Sequence, residues 1–136
     1  MKVVLDTNVI LRAISSKSEY AILIDELYLQ TYSIVVSTEV LLEYEETVTQ
    51  FFGKNTAKDF LDFLVMLPNV EKVDAYFQLN IIQADPDDNK FVDCAFIGNV
   101  HYIVTDDKHF NILKKIAFPT IPVITAEVFK GIILSS

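Results

Sequence analysis

The chain has 136 residues, 51% of them hydrophobic, with a mean hydropathy of +0.34, which excludes disorder and points to a single domain over residues 1–136 with a proper core. Nineteen acids against eleven bases give a formal net charge of −8, so global electrostatics repel nucleic acid, and any contact with it must rest on a local site, bound metal ions or a basic partner. A lone cysteine, Cys94, excludes an internal disulfide and a cysteine-based zinc site, and no apolar run approaches the roughly 18 residues of a membrane span.

In chain order, Lys2-Val3-Val4-Leu5 reads as a strand buried on both faces, because its apolar residues do not alternate with polar ones. It stops at Asp6, and Thr7-Asn8 opens a helical pattern with Val9, Ile10, Leu11, Ala13 and Ile14. The loop Ser15–Ser18 precedes a second helix carrying Tyr20 to Leu29. Ser33–Ser37 is a second buried strand, with Ser37 as N-cap of a helix over Thr38–Phe52. Gly53 ends that helix, and Asn55 or Thr56 starts another, broken by Pro68-Asn69. Val70–Val73 is an edge-strand candidate. Asp74–Gln83 fits either a helix or an irregular segment. Asp85-Pro86-Asp87-Asp88-Asn89 is a turn leading into a helix that Gly98-Asn99 closes. Tyr102–Thr105 is a third buried strand, stopped by Asp106-Asp107. A short helix over Asn111–Ala117, a last strand at Ile121–Ile124 and a closing helix over Thr125–Leu134 follow.

Alternating strands and helices with short connections predict an α/β fold: three layers, α/β/α, around a mostly parallel central sheet. No glycine-rich loop follows any strand, so dinucleotide and P-loop readings fail. The opening residues form a strand pattern rather than a charged leader, and a cytoplasmic protein is expected.

Function is carried by where the acids fall. Asp6 and Asp106-Asp107 end buried strands, the Asp85–Asn89 cluster opens a helix, and Glu43 stands six residues beyond Ser37. Carboxyl ends of adjacent parallel strands lie close together, so these loci can converge on one cleft. Converging carboxylates repel unless cations sit between them, and hard oxygen donors suit Mg²⁺ or Mn²⁺. Spacing leaves the choice among Glu39, Glu43, Glu45 and Glu46 open, and Asp6 or Thr7 also reads as a simple helix cap. Asp85, Asp87 and Asn89 imitate a calcium loop, but Lys90 stands where the turn needs Gly and Phe96 where a bidentate Glu belongs. His101 and His109 read as surface or capping residues.

These blocks resemble the PIN domain, a small metal-dependent ribonuclease domain found in toxin–antitoxin systems and in eukaryotic RNA processing. The carriers are Val3-Val4-Leu5-Asp6-Thr7-Asn8-Val9, Ser37 to Tyr44, Asp85 to Phe91, and Tyr102 to Phe110. The last two blocks are most similar to a toxin branch of the family. The resemblance implies Asp6, Glu43, Asp88 and Asp107 as catalytic metal ligands for Mg²⁺ or Mn²⁺, with Thr7, Asn8 and Thr105 as supporting polar residues. Asp106 stands where that branch more often has Gly, so it competes with Asp107 for the role of fourth acid. The implied partners are an RNA substrate, an antitoxin protein and, as in many relatives, a second copy of the chain.

Three readings compete. The first is a metal-dependent endoribonuclease that cuts single-stranded RNA with water as nucleophile. The second, a phosphotransferase with an aspartyl nucleophile, needs an acid where Asn8 stands. The third is a non-catalytic PIN-like scaffold that binds RNA or protein, against which the four intact acids argue. Because the chain is acidic, cations near the cleft must meet the RNA, and Arg12, Lys90 and Lys108 are the candidates.

Overall fold

Val3, Val4 and Leu5 point alternately to the two faces of the sheet, yet all three are fully buried. Both faces must therefore be covered, and this strand belongs at the centre. The computed structural model, which describes residues 1–74, 79–82, 86–116 and 120–136, places it there. Strand β1 (Lys2–Leu5) lies in the middle of a five-stranded sheet of order β3-β2-β1-β4-β5. The others are β2 (Ser33–Val36), β3 (Val70–Lys72), β4 (Tyr102–Val104) and β5 (Val123–Ile124). Every pairing is parallel, with Val3 opposite both Ile34 and Tyr102, and Leu5 opposite Val104.

The helices are α1 (Thr7–Ile14), α2 (Ile22–Tyr28), α3 (Thr38–Phe52), α4 (Lys54–Met66), α5 (Asn89–Gly98) and α6 (Ala126–Leu134). Two 3₁₀ stretches, Pro86–Asp88 and Lys108–Lys115, complete the described elements. Helix α5 packs against β1, β2 and β4, and α3 packs mainly against α4. The expected three-layer α/β arrangement is the one observed.

Caps set most of the helix boundaries. Ser37 Oγ accepts from the Val40 N–H and Thr125 Oγ1 from the Val128 N–H, both at 3.2 Å, satisfying donors that a helix start leaves open. Gly53, at φ 92°, ends α3 and directly precedes α4, so the second helix starts a residue or two earlier than the sequence suggests. Helix α2 starts later, at Ile22, because Ser18 Oγ caps the preceding turn through the Tyr20 N–H (3.0 Å) instead of the helix. The short helix expected over Asn111–Ala117 is a 3₁₀ stretch over Lys108–Lys115, and Ala117 lies outside the described residues.

The ambiguous Asp74–Gln83 segment is described only at Asp74 and at residues 79–82, none of them in regular structure. The latter stretch is tied to α5. Asn89 accepts from the Ile82 N–H and donates to its carbonyl, both at 2.8 Å, and Asp93 accepts from the Leu79 N–H at 3.0 Å. Asp85 of the acidic turn lies outside the described residues.

Gly98 and Asn99 divide the work of closing α5. Asn99 takes the left-handed conformation, φ 51°, as asparagine tolerates. Gly98 is there for close approach: a Cβ would stand 2.6 Å from Val35 Cγ1 of β2. Gly131, in α6, has nothing within 4 Å of its missing Cβ. Gly98→Ala should therefore destabilise the fold by about 1–3 kcal/mol through overpacking. Gly131→Ala should stabilise it by up to about 1 kcal/mol through helix propensity. Urea unfolding of the two variants checks the opposite signs.

Candidate metal centre

The site is built where β1 and β4 end side by side. Asp6 follows β1 and its N–H donates to the Val104 carbonyl (3.0 Å), extending the ladder by one bond. Its side chain then does two things. Oδ1 accepts from the Thr7 N–H at 2.8 Å, capping α1, and Oδ2 accepts from the Thr105 hydroxyl at 2.7 Å. The capping reading of Asp6 and the cleft reading thus describe the same side chain. Thr105 Oγ1 also accepts from the Asp107 N–H at 3.0 Å, so one hydroxyl joins the first acid to the backbone of the fourth.

Asp107 caps the 3₁₀ stretch, its Oδ1 accepting from the His109 N–H at 2.9 Å. This turn brings the His109 ring back over the acid, with Nδ1 3.4 Å from Asp107 Oδ1 and 3.9 Å from Asp88 Oδ2. One donor atom from each of Asp88, Asp107 and His109 lies within 4.8 Å of the others. Two carboxylates at such separation repel. A divalent cation between them removes the repulsion, and the mixed oxygen and nitrogen donors fit one. Asp6 and Glu43 stand outside that trio. His109 is exposed, as a surface residue would be, but it is Asp107 that caps the turn, and the ring's approach to two carboxylates is not part of the sequence reading. Its only local signal is its place two residues after an acid that caps a turn. His101, by contrast, accepts from the Lys2 N–H at Nδ1 (3.1 Å).

Among the four glutamates of α3, the structure distinguishes Glu43. It is half-buried, with Oε2 accepting from the Thr7 hydroxyl and Oε1 from Lys90 Nζ at 2.9 Å. Glu39, Glu45 and Glu46 are exposed. Its neighbour Tyr44 is fully buried and donates to the Leu5 carbonyl, fixing α3 to the end of β1.

The two adjacent acids of the fourth block diverge. Asp107 faces Asp88 and His109, whereas Asp106 pairs with Arg12 and accepts from the Ala126 N–H at 3.2 Å. Arg12 also lies over the Tyr20 ring, 4.0 Å from its centroid. Lys90 and Arg12, two of the expected RNA contacts, are thus each engaged with a carboxylate of the chain. Lys108 and Asn8 are exposed.

Asp6 is 4% exposed, and burial pushes its carboxyl up to about 6. The Thr105 and Thr7 hydrogen bonds oppose the rise, and the charges of Glu43 and Asp107 add to it. The folded state therefore holds this proton more tightly than the unfolded chain. Without metal, stability should fall as pH rises from about 4 to about 6, and the loss should be complete above that. Asp6→Asn should accordingly raise the thermal midpoint in EDTA at pH 7.5, by an amount equivalent to about 1–3 kcal/mol. The gain should shrink toward zero at pH 4, which melting curves at the two pH values check.

The PIN domain family model matches residues 2–109, a span that holds the first three blocks whole, the fourth as far as His109, and the Asp88, Asp107 and His109 cluster. No curated protein sequence matches the chain. Among solved structures, the chain is similar to VapBC2 from Rickettsia felis, determined bound to a DNA fragment from its promoter. The identity is 22% and the TM-score 0.62, over 92% of this chain and 98% of that one. DNA-bound VapBC from Salmonella typhimurium has 18% identity and a TM-score of 0.62, with coverage of 93% and 98%. FitAcB from Neisseria gonorrhoeae has 16% identity and a TM-score of 0.60, with coverage of 92% and 98%. At these identities the likeness is one of fold.

Proposed function

The chain belongs to the PIN domain family, and on that premise we propose that it is a metal-dependent endoribonuclease cleaving single-stranded RNA, the toxin half of a toxin–antitoxin pair. The observation that carries the reading is the convergence of Asp88, Asp107 and His109 within 4.8 Å beside the buried Asp6. Asp88 and Asp107 would hold Mg²⁺ or Mn²⁺, with Asp6 and Glu43 completing the acidic set around it. When bound, such an ion supplies a Lewis acid that activates water and stabilises the charge developing on the phosphate.

The remaining work falls to the chain's own residues. Thr105 orients Asp6 and the Asp107 backbone through one hydroxyl. Thr7 and Lys90 hold the two oxygens of Glu43, so this carboxylate is aimed before any substrate arrives. Arg12 and the α6 N-terminus hold Asp106 away from the cluster, which favours Asp107 as the fourth acid. Asn8, exposed in the first turn of α1, would contact substrate or solvent. An imidazole donor suits Mn²⁺ better than Mg²⁺, so His109 favours manganese.

An antitoxin or a second copy of the chain is the partner this reading expects. Exposed apolar side chains on α3 and α4, among them Leu42, Phe51, Val65 and Met66, support a protein partner of either kind.

Incubating the purified protein with single-stranded and structured RNA, in Mn²⁺ or in EDTA, tests the proposal. Cleavage of the single-stranded RNA in Mn²⁺ alone is the expected result. Asp88→Asn and Asp107→Asn should each lower it about 100-fold or more, since losing even an outer-shell partner of a metal site costs 10–100-fold. Asp106→Asn should stay within a few-fold of wild type. His109→Ala should weaken Mn²⁺ binding, read by calorimetry, more than Mg²⁺ binding. Absence of cleavage in every condition would overturn the nuclease reading and leave a binding scaffold.

A further inference from the structure

The surface on either side of the acidic cluster has opposite character. On the α3 side, a depression of about 500 Å³ is lined by Glu39, Glu43, Glu46 and Asp87, with Lys90 as its one cation. That lysine is held by Glu43. A polyanion is repelled there. On the other side, a groove of about 330 Å³ begins at Asp107 and runs between the Lys108–Lys115 stretch and β5. Lys108 and Lys114 form its cationic rim and the half-buried Val123 and Ile124 part of its wall. Among the described residues neither lysine forms an ion pair, unlike Arg12, Lys90, Lys2 and Lys58. Asp106 also lines the groove, but Arg12 and the Ala126 N–H already answer its charge.

We propose that this groove is the track of the RNA strand, with Lys108 and Lys114 each on a phosphate of the segment leading to Asp107 and a base against Val123 and Ile124. Single-stranded nucleic acid is commonly held by cations along the backbone and aromatic faces under the bases; here two aliphatic side chains take the second role. The proposal rests on the nuclease reading for its choice of ligand and adds the path: the strand lies on the 3₁₀ side of the cluster and avoids α3. Its chemistry is that of charge complementarity, because of the two flanks described the acidic one repels a polyanion and the lysine-rimmed one attracts it.

The test is binding of a fluorescent single-stranded RNA oligonucleotide in EDTA, followed by anisotropy across a salt series, where no cleavage can interfere. The double variant K108A/K114A should bind on the order of tenfold more weakly. The slope of its log affinity against log salt should be shallower by about 1.4, the value for two phosphate contacts on a single strand. Lys115→Ala, just outside the groove, should leave the slope unchanged, and E39Q/E46Q should change affinity less than the lysine pair does. Wild-type affinity and slope in K108A/K114A would overturn the track even if the protein cleaves RNA. So would a wild-type protein that binds no RNA, or a gain in E39Q/E46Q larger than the loss in the lysine variant. Lysine-dependent binding without cleavage in Mn²⁺ would keep the track and overturn the nuclease.

Discussion

The Thr105 hydroxyl is the joint on which the site depends. It donates to Asp6 and accepts from the Asp107 N–H, and it can do both only because Leu5 and Val104 lie opposite each other in the sheet. A slip of one residue in that register would turn Thr105 to the other face of the sheet. The register is in turn fixed by burial, since Val3, Val4, Leu5, Ile103 and Val104 are fully enclosed. Helix α3 is tied to the same point twice, through Tyr44 to the Leu5 carbonyl and through Glu43 to Thr7. The chemistry is therefore positioned by the two central strands, and the helices aim at their ends.

Such a site opposes the stability of the fold that carries it. Asp6 is buried near Glu43 and Asp107, and its raised pKa measures how poorly the metal-free protein tolerates its charge. Three features limit the cost. Asp6 and Asp107 sit at the starts of helical segments, where N–H groups and the local dipole favour an anion. Lys90 offsets Glu43, and Arg12 offsets Asp106. The repulsion that remains, of Asp6 with Glu43 and Asp107, marks the place where a cation gains most.

The legible parts of the sequence were those that a local pattern determines. Uninterrupted apolar strands ending in acids gave away Asp6 and the Asp106-Asp107 pair, and Ser37 and Thr125 announced their helices. The choice between Asp106 and Asp107 could not be read locally. What separates the two in the structure is Arg12, ninety-four positions away, and the α6 N-terminus, both of which engage Asp106. Glu43 was likewise indistinguishable from Glu45 until Thr7 and Lys90 were seen to hold it. The same long-range pairs account for the mixed fortunes of the expected RNA contacts. Lys90 and Arg12 have carboxylates brought to them by the fold, while Lys108 has none among the described residues. His109 was read as a surface or capping residue because its ring is brought toward Asp88 by a turn whose outcome depends on the end of β4.

On the proposed track, net charge is a poor guide to what this surface binds. Screening at physiological salt confines an exposed charge to roughly 8 Å, so a phosphate near Asp107 responds to Lys108 and Lys114 much more than to acids on α2 or α4. The excess of acids is also unevenly placed, with Glu39, Glu43, Glu45 and Glu46 all on α3. That concentration makes one flank forbidding and leaves the flank of the Lys108–Lys115 stretch comparatively favourable. On the proposed track, an acidic protein arranged in this way has an internal reason to take a polyanion from the 3₁₀ flank, because the depression beside α3 is lined by Glu39, Glu43, Glu46 and Asp87. The charge that seems to argue against a nucleic-acid role would then help to orient the strand.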